Sequence, residues 1–204
     1  MKKFCVIDVD SGNINSIIRM GEEAGFDIDK VSDAKLLADY DVVLLPGIGR
    51  YDSFLGNIKE KGFLNFLSDK SNFQDRYLIG FCLGMQVLVN GSQEGSLQGL
   101  GLIDGNVIKF TKENLKIPNI GWQYVYKNQN VQLIDHLSTN DRFYFCHSFH
   151  VQCKDENVIC KTNYGYEFPS GIHCQTHKIA GFQFHPEKSH NFGLNLFKQI
   201  YHAV

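Results

Sequence analysis

No excess of charge of either sign marks this chain: 20 lysines and arginines face 22 aspartates and glutamates, a formal net charge of −2 over 204 residues. Without a basic patch there is no electrostatic footprint for nucleic acid or for an anionic membrane, so small solutes and proteins are the expected partners. Long hydrophobic runs are missing too. The longest, Tyr77 to Val89, is too short to span a bilayer and carries Gln86 within it. Near the start, Asp8 cuts off any signal-peptide core, and a cytoplasmic location is expected. No linker or low-complexity stretch divides the sequence, so one domain over 1–204 with a continuous core is expected.

Several ligand signatures are also absent. Pro46-Gly47-Ile48-Gly49 is not followed by Gly-Lys-Ser/Thr, so it is no phosphate loop. Gly99-Leu100-Gly101 lacks the third glycine and the helix of a dinucleotide loop. The six cysteines (5, 82, 146, 153, 160 and 174) are spaced too irregularly for a disulfide-stapled miniprotein, and most sit in apolar runs where a reduced core thiol is the default. His173-Cys174 with His177 has no second ligand pair at metal-site spacing, so neither a metal nor a cofactor is expected.

What is present alternates between buried strands and amphipathic helices. Phe4 to Val9 reads as a strand, Asn13 as the N-cap of a helix carrying Ile14, Ile17 and Ile18 and ending near Gly25, and Asp27 to Val31 as a second strand. Strand, helix, strand implies a β-α-β unit and a largely parallel sheet. Asp41 to Leu45 is a further buried strand, followed by a helix from Tyr51 to Leu67 broken at Gly62. From Val107 to Cys174 short strands crowd together, as in an antiparallel or mixed extension of the sheet, and a last helix spans about Asn191 to His202.

Between the strand Tyr77-Leu78-Ile79 and a helix expected over Leu83 to Val89 lies Gly80-Phe81-Cys82-Leu83-Gly84-Met85-Gln86. Glycines two positions either side of Cys82 permit a turn too tight for larger side chains, the geometry of a nucleophile elbow with cysteine in the serine's place. A small core cysteine would fit the same run. After another apolar strand, Ile179 to Phe184, comes His185-Pro186-Glu187. Pro186 keeps the chain extended, so His185 and Glu187 project from the same side and form an imidazole–carboxylate pair of the kind a cysteine nucleophile needs. A plain strand-to-helix turn would read alike, but both halves in one chain favour the chemical reading.

On these residues, with Phe184 preceding His185, the chain resembles the class I (triad) glutamine amidotransferase family, and within it the glutaminase subunits that serve a separate cyclase. The resemblance runs from Asp8 to Ser189. It implies a flavodoxin-like α/β fold with a mainly parallel central sheet flanked by helices, and hydrolysis of glutamine through a Cys82 thioester with His185 and Glu187. It further implies an oxyanion hole from Gly49 and the Leu83 amide, and substrate contacts from Gly47, Gln86, His147, Ser148 and Phe149, where the family usually has Tyr at 149. A (β/α)8-barrel cyclase forming a heterodimer is the implied partner, docked near Asn13, Asn119 and Trp122. Trp122 would equally suit a core, and His147 a satisfied core histidine. Val9, Asp10, Asn119 and Gln123 depart from the family's pattern on the partner side. The ammonia acceptor is therefore either the histidine-pathway intermediate or, as in related subunits, a sugar of surface polysaccharide synthesis. A non-catalytic binding protein on the same fold is the reading of another class.

Overall fold

The computed structural model describes residues 2–204. Its strands are β1 (Phe4–Ile7), β2 (Ile28–Val31), β3 (Val42–Gly47), β4 (Tyr77–Cys82), β5 (Gly91–Ser92), β6 (Gly105–Lys109), β7 (Asn119–Tyr124), β8 (Tyr126–Lys127), β9 (Arg142–His147), β10 (Phe149–Cys153), β11 (Val158–Asn163), β12 (Glu167–His173) and β13 (Ile179–Phe182). Its α-helices are α1 (Ile14–Ala24), α2 (Tyr51–Glu60), α3 (Leu64–Ser68), α4 (Leu83–Gln86) and α5 (His190–Ala203). The main sheet runs in the order β2-β1-β3-β4-β13-β12-β11-β8, parallel from β2 through β13 and antiparallel beyond it. This is the parallel sheet with a mixed extension expected above.

The parallel strands are buried on both faces, because successive side chains point to opposite sides. In β1, Phe4 and Val6 enter one core while Cys5 and Ile7 enter the other; in β3, Val42 and Leu44 oppose Val43 and Leu45 in the same way. Ile17 and Met20 of α1 and Leu196, Phe197 and Ile200 of α5 cover the first face. Tyr51, Phe54, Leu55 and Ile58 of α2, with Leu83 and Met85, cover the second. Each such apolar side chain removed from water contributes about 1.5–3 kcal/mol, so helices on both faces are what the strand pattern demands.

Three local expectations change. The helix after the elbow stops at Gln86 rather than Val89, because the Leu88 N–H turns to the Met85 carbonyl three residues back and the Asn90 N–H goes to Gly105, while the carbonyls of Val87, Leu88 and Val89 accept from Leu100, Leu102 and Gly101. The run from Arg142 to Val151 is two strands, not one: β9 pairs with β7 and β10 with β6, so the chain changes sheet at Ser148. Of the strands β5 to β10, five build two small separate sheets, β10-β6-β5 and β7-β9, and only β8 joins the main one. Gly62, at φ +78°, divides α2 from α3 as expected.

Candidate functional site

Strand order brings the distant motifs together. β3, β4 and β13 are parallel neighbours, with Gly47 opposite Cys82 and Phe81 opposite Phe182. Their carboxyl ends therefore open at one rim, where open α/β sheets bind ligands. A cavity of about 440 Å³ lies there, and Gly49, Cys82, Leu83, Gln86, His147 and His185 are among its lining. That is within the ~300–1,000 Å³ usual for small-molecule sites.

Cys82 sits at φ 53° and ψ −110°, a strained backbone for a residue with a side chain. The strain is held by two close approaches. A Cβ on Gly84 would overlap the Leu45 carbonyl of β3, and one on Gly80 would overlap the Gly84 carbonyl. The elbow is thus pressed against its neighbouring strand, and only hydrogen atoms fit at those two positions. Gly47 serves this packing as well: a Cβ there would meet the Gly84 nitrogen and the Phe54 ring. It does not line the cavity, and what the structure shows for it is this packing against the elbow.

His185 follows β13, and its Nδ1 donates to Glu187 Oε1 at 2.9 Å, both side chains being almost fully buried. Burial lowers the imidazole's pKa, but the Cys82 sulfur beside it and the Glu187 carboxylate outweigh burial and push it up to about 10. Glu187 moves oppositely: burial raises its carboxyl, and the bonds from His185 and Asn13 bring the net below the usual value. A thiol, an imidazole and a carboxylate aligned in this order can transfer a proton from sulfur and return it to a leaving group.

Asn13 was expected to cap α1 and to face a partner. It forms no side-chain cap bond; its Nδ2 donates instead to Glu187 Oε1 at 2.7 Å. The loop holding it also reaches the Gly49 turn, where Ser11 Oγ donates to the Ile48 carbonyl at 2.7 Å and accepts from the Ile48 N–H at 3.3 Å. Gly49 itself adopts φ +96°. It lines the cavity together with Leu83, the first residue of α4, whose N–H has no partner within the helix.

A second line of polar groups forms the inner wall. Gln86 Nε2 donates to the Phe149 carbonyl at 2.9 Å and to Gln183 Oε1 at 3.0 Å, and Gln183 Nε2 donates to the Cys82 sulfur at 3.8 Å. His147 Nδ1 donates to the same Phe149 carbonyl at 2.7 Å, which leaves Nε2 to accept from Asn119 Nδ2 at 3.1 Å. Burial depresses the His147 pKa to about 3, so the ring is neutral with both nitrogens engaged. His147 lines the cavity but has no free nitrogen for a ligand. Asn119, expected at the docking face, is fully buried beneath it. The cause is strand alternation: Asn119, Gly121 and Gln123 of β7 turn inward, while Ile120, Trp122 and Tyr124 are exposed. Trp122 stacks on His190 at 5.5 Å between ring centroids. Ser148 and Phe149 both line the cavity.

Two residues escaped the sequence reading. Gln183 sat inside an apolar strand, where a lone polar side chain was the available signal. Glu94, in the glycine-rich stretch after the elbow, brings a partly buried carboxylate to the cavity, and burial raises its pKa. Among the described residues no group of His, Cys, Asp and Glu is placed to hold a metal ion, and no helix is long and apolar enough to cross a membrane.

Comparison with known proteins agrees with this geometry. The family profile for glutamine amidotransferase class-I matches residues 5–203. The chain is 42% identical to imidazole glycerol phosphate synthase subunit HisH 2 of Methanococcus maripaludis, over 96% of either chain. It is 40% identical to subunit HisH 1 of Campylobacter jejuni, over 96% of this chain and 97% of that one. In fold it is similar to PurLQS from Thermotoga maritima, with TM-score 0.70, 19% identity and 99% of each chain covered. With a match over nearly its whole length and relatives this similar, the chain belongs to the class I glutamine amidotransferase family.

Proposed function

We propose that this protein is the glutaminase subunit of a histidine-pathway synthase, hydrolysing glutamine to glutamate and ammonia and passing the ammonia to a separate barrel-shaped cyclase subunit. The observation that supports the chemistry is Cys82 and His185 on one cavity wall, with the Glu187 carboxylate bonded to the imidazole behind them at 2.9 Å. His185 takes the Cys82 proton, and the sulfur attacks the side-chain amide carbon to form a C–S bond. The oxygen of the tetrahedral intermediate takes its hydrogen bonds from the Gly49 and Leu83 amides. His185 protonates the departing nitrogen as the C–N bond breaks, and ammonia leaves. Water then attacks the thioester, giving its proton to His185, and glutamate departs as the thiolate is restored.

The substrate's α-ammonium suits Glu94, the carboxylate on the cavity wall, whose burial is relieved by a cation. Ser148 and Phe149 complete the amino-acid end. The exposed side chains of Ile120, Trp122 and Tyr124, beside the cavity residue Pro118, form an apolar face suited to the cyclase. Relatives named as synthase subunits support the acceptor.

The test is glutamine hydrolysis by the purified chain with and without a histidine-pathway cyclase and its nucleotide ligand. Strong stimulation is the expected result, and Cys82→Ala abolishes turnover while keeping the fold. Full activity in Cys82→Ala would refute the nucleophile. Absence of stimulation, with basal Cys82-dependent hydrolysis intact, would move the acceptor to amidino-sugar formation.

A further inference from the structure

We propose that Asn13 is a positioning residue for the His185–Glu187 pair, its side-chain amide fixing which carboxylate oxygen faces the imidazole. The kinetic consequence rests on the glutaminase reading; the geometry does not.

Asn13 occupies a helix-start position, where asparagine usually accepts from a first-turn N–H. At φ −87° and ψ 58° it makes no such bond, and its amide reaches a residue 174 positions away. Glu187 Oε1 receives both Asn13 Nδ2 at 2.7 Å and His185 Nδ1 at 2.9 Å, whereas Oε2 is buried without a partner. A carboxylate held only by the imidazole could rotate and offer either oxygen. Pinning Oε1 from a second direction removes that freedom and holds the ring in one tautomer, with Nδ1 protonated and Nε2 directed away from the carboxylate.

The tie also spans the sheet. Asn13 follows β1 and Glu187 follows β13, and β3 and β4 lie between those strands. No ladder hydrogen bond joins β1 to β13, so this side-chain bond links the two loops directly. Asn13 is not part of the cavity wall and does not meet the reacting atoms. Its effect reaches them through Glu187.

Asn13→Ala and Asn13→Asp test the assignment. Aspartate has nearly the shape of asparagine, so the second variant replaces a donor with an acceptor against a buried carboxylate without opening a cavity, and its melting temperature is read alongside. Asn13→Ala is expected to lower kcat for glutamine by roughly tenfold to a hundredfold, the scale of a misplaced catalytic group, with KM little changed. Asn13→Asp is expected to lose more at neutral pH and to recover in mild acid, as the two carboxyls come to share a proton. A second measurement needs no substrate: in the Cys82→Ala background, the His185 Nδ1 proton resonance should be sharp, and adding Asn13→Ala should broaden it through exchange with water. An unchanged kcat overturns the proposal, as does a lowered melting temperature with an unaltered Nδ1 resonance. If the resonance responds but the wild-type chain hydrolyses no glutamine, the glutaminase reading fails and the positioning role stands.

Discussion

His147 offers a test that separates architecture from ligand binding. Its ring is buried and neutral, with Nδ1 on the Phe149 carbonyl and Nε2 receiving Asn119, and its pKa in the folded chain is depressed to about 3 from the ordinary 6.5. A base whose folded pKa lies below its unfolded pKa contributes full stability above the unfolded value and loses it as pH falls. The window of loss therefore opens near pH 6.5 and extends toward pH 3. At about pH 5 the unfolded chain gains a proton that the folded one refuses over about 1.5 pH units, which at ~1.4 kcal/mol per unit amounts to about 2 kcal/mol. His147→Gln keeps a donor for Phe149 and an acceptor for Asn119 but cannot titrate. Urea unfolding of both proteins at about pH 7 and pH 5 should show the wild type losing about 2 kcal/mol more than the variant on acidification. The other groups whose protonation differs between folded and unfolded chain in this range, His136, His150 and His185 among them, are present in both proteins and largely cancel in the comparison. Equal acid sensitivity in the two proteins would refute the buried neutral ring.

Three further outcomes follow from the site. The His185 pKa is raised to about 10 by Cys82 and Glu187 against the pull of burial, so the imidazolium persists on the alkaline side; in the proposed reaction, where it protonates the departing amide nitrogen, hydrolysis should fall only as pH nears that value. Glu187→Gln removes the carboxylate's charge and should move the alkaline limb of kcat/KM down by about a unit or more, with kcat lowered roughly 10²–10⁴-fold; an unmoved limb would detach Glu187 from the imidazole. Gly84→Ala drives a Cβ into the Leu45 carbonyl, so the elbow must shift. It should cost about 1–3 kcal/mol or more in thermal or urea unfolding and abolish turnover, whereas a stable, active variant would contradict the pressed elbow.

The residues that announced themselves in the sequence were those whose chemistry is local. Gly80, Cys82 and Gly84 define a turn by their own spacing, and His185-Pro186-Glu187 pairs an imidazole with a carboxylate, although Pro186 to Lys188 forms a 3-10 turn rather than the extended segment expected, and that turn is what brings Glu187 back to the ring. The parallel sheet was equally legible, because strands buried on both faces read as unbroken apolar runs such as Val42 to Leu45. What escaped was set by partners far along the chain. Asn13 has the residue type of a cap, and only its distance from Glu187 shows where the amide goes. Asn119 carries no mark of burial, which comes from the face of β7 it occupies and from His147 above it. The helix after Cys82 looked longer than it is because its apolar run continues to Val89, while the Leu88 N–H turns back to Met85 and the Asn90 N–H is taken by Gly105, far along the chain.

The side-by-side run of β3, β4 and β13 has a consequence for what the molecule tolerates. Its reagents are located by register, so one extra residue inside β4 or β13 would invert every side chain beyond it and swing the sulfur or the imidazole into the hydrophobic interior. The hairpin of residues 174–178 joins β12 to β13 at the other end of the strand, upstream of the ladder. Added length at that remote rim is absorbed before the pairing begins, making it the place where the chain can be lengthened while the reaction centre stays aligned.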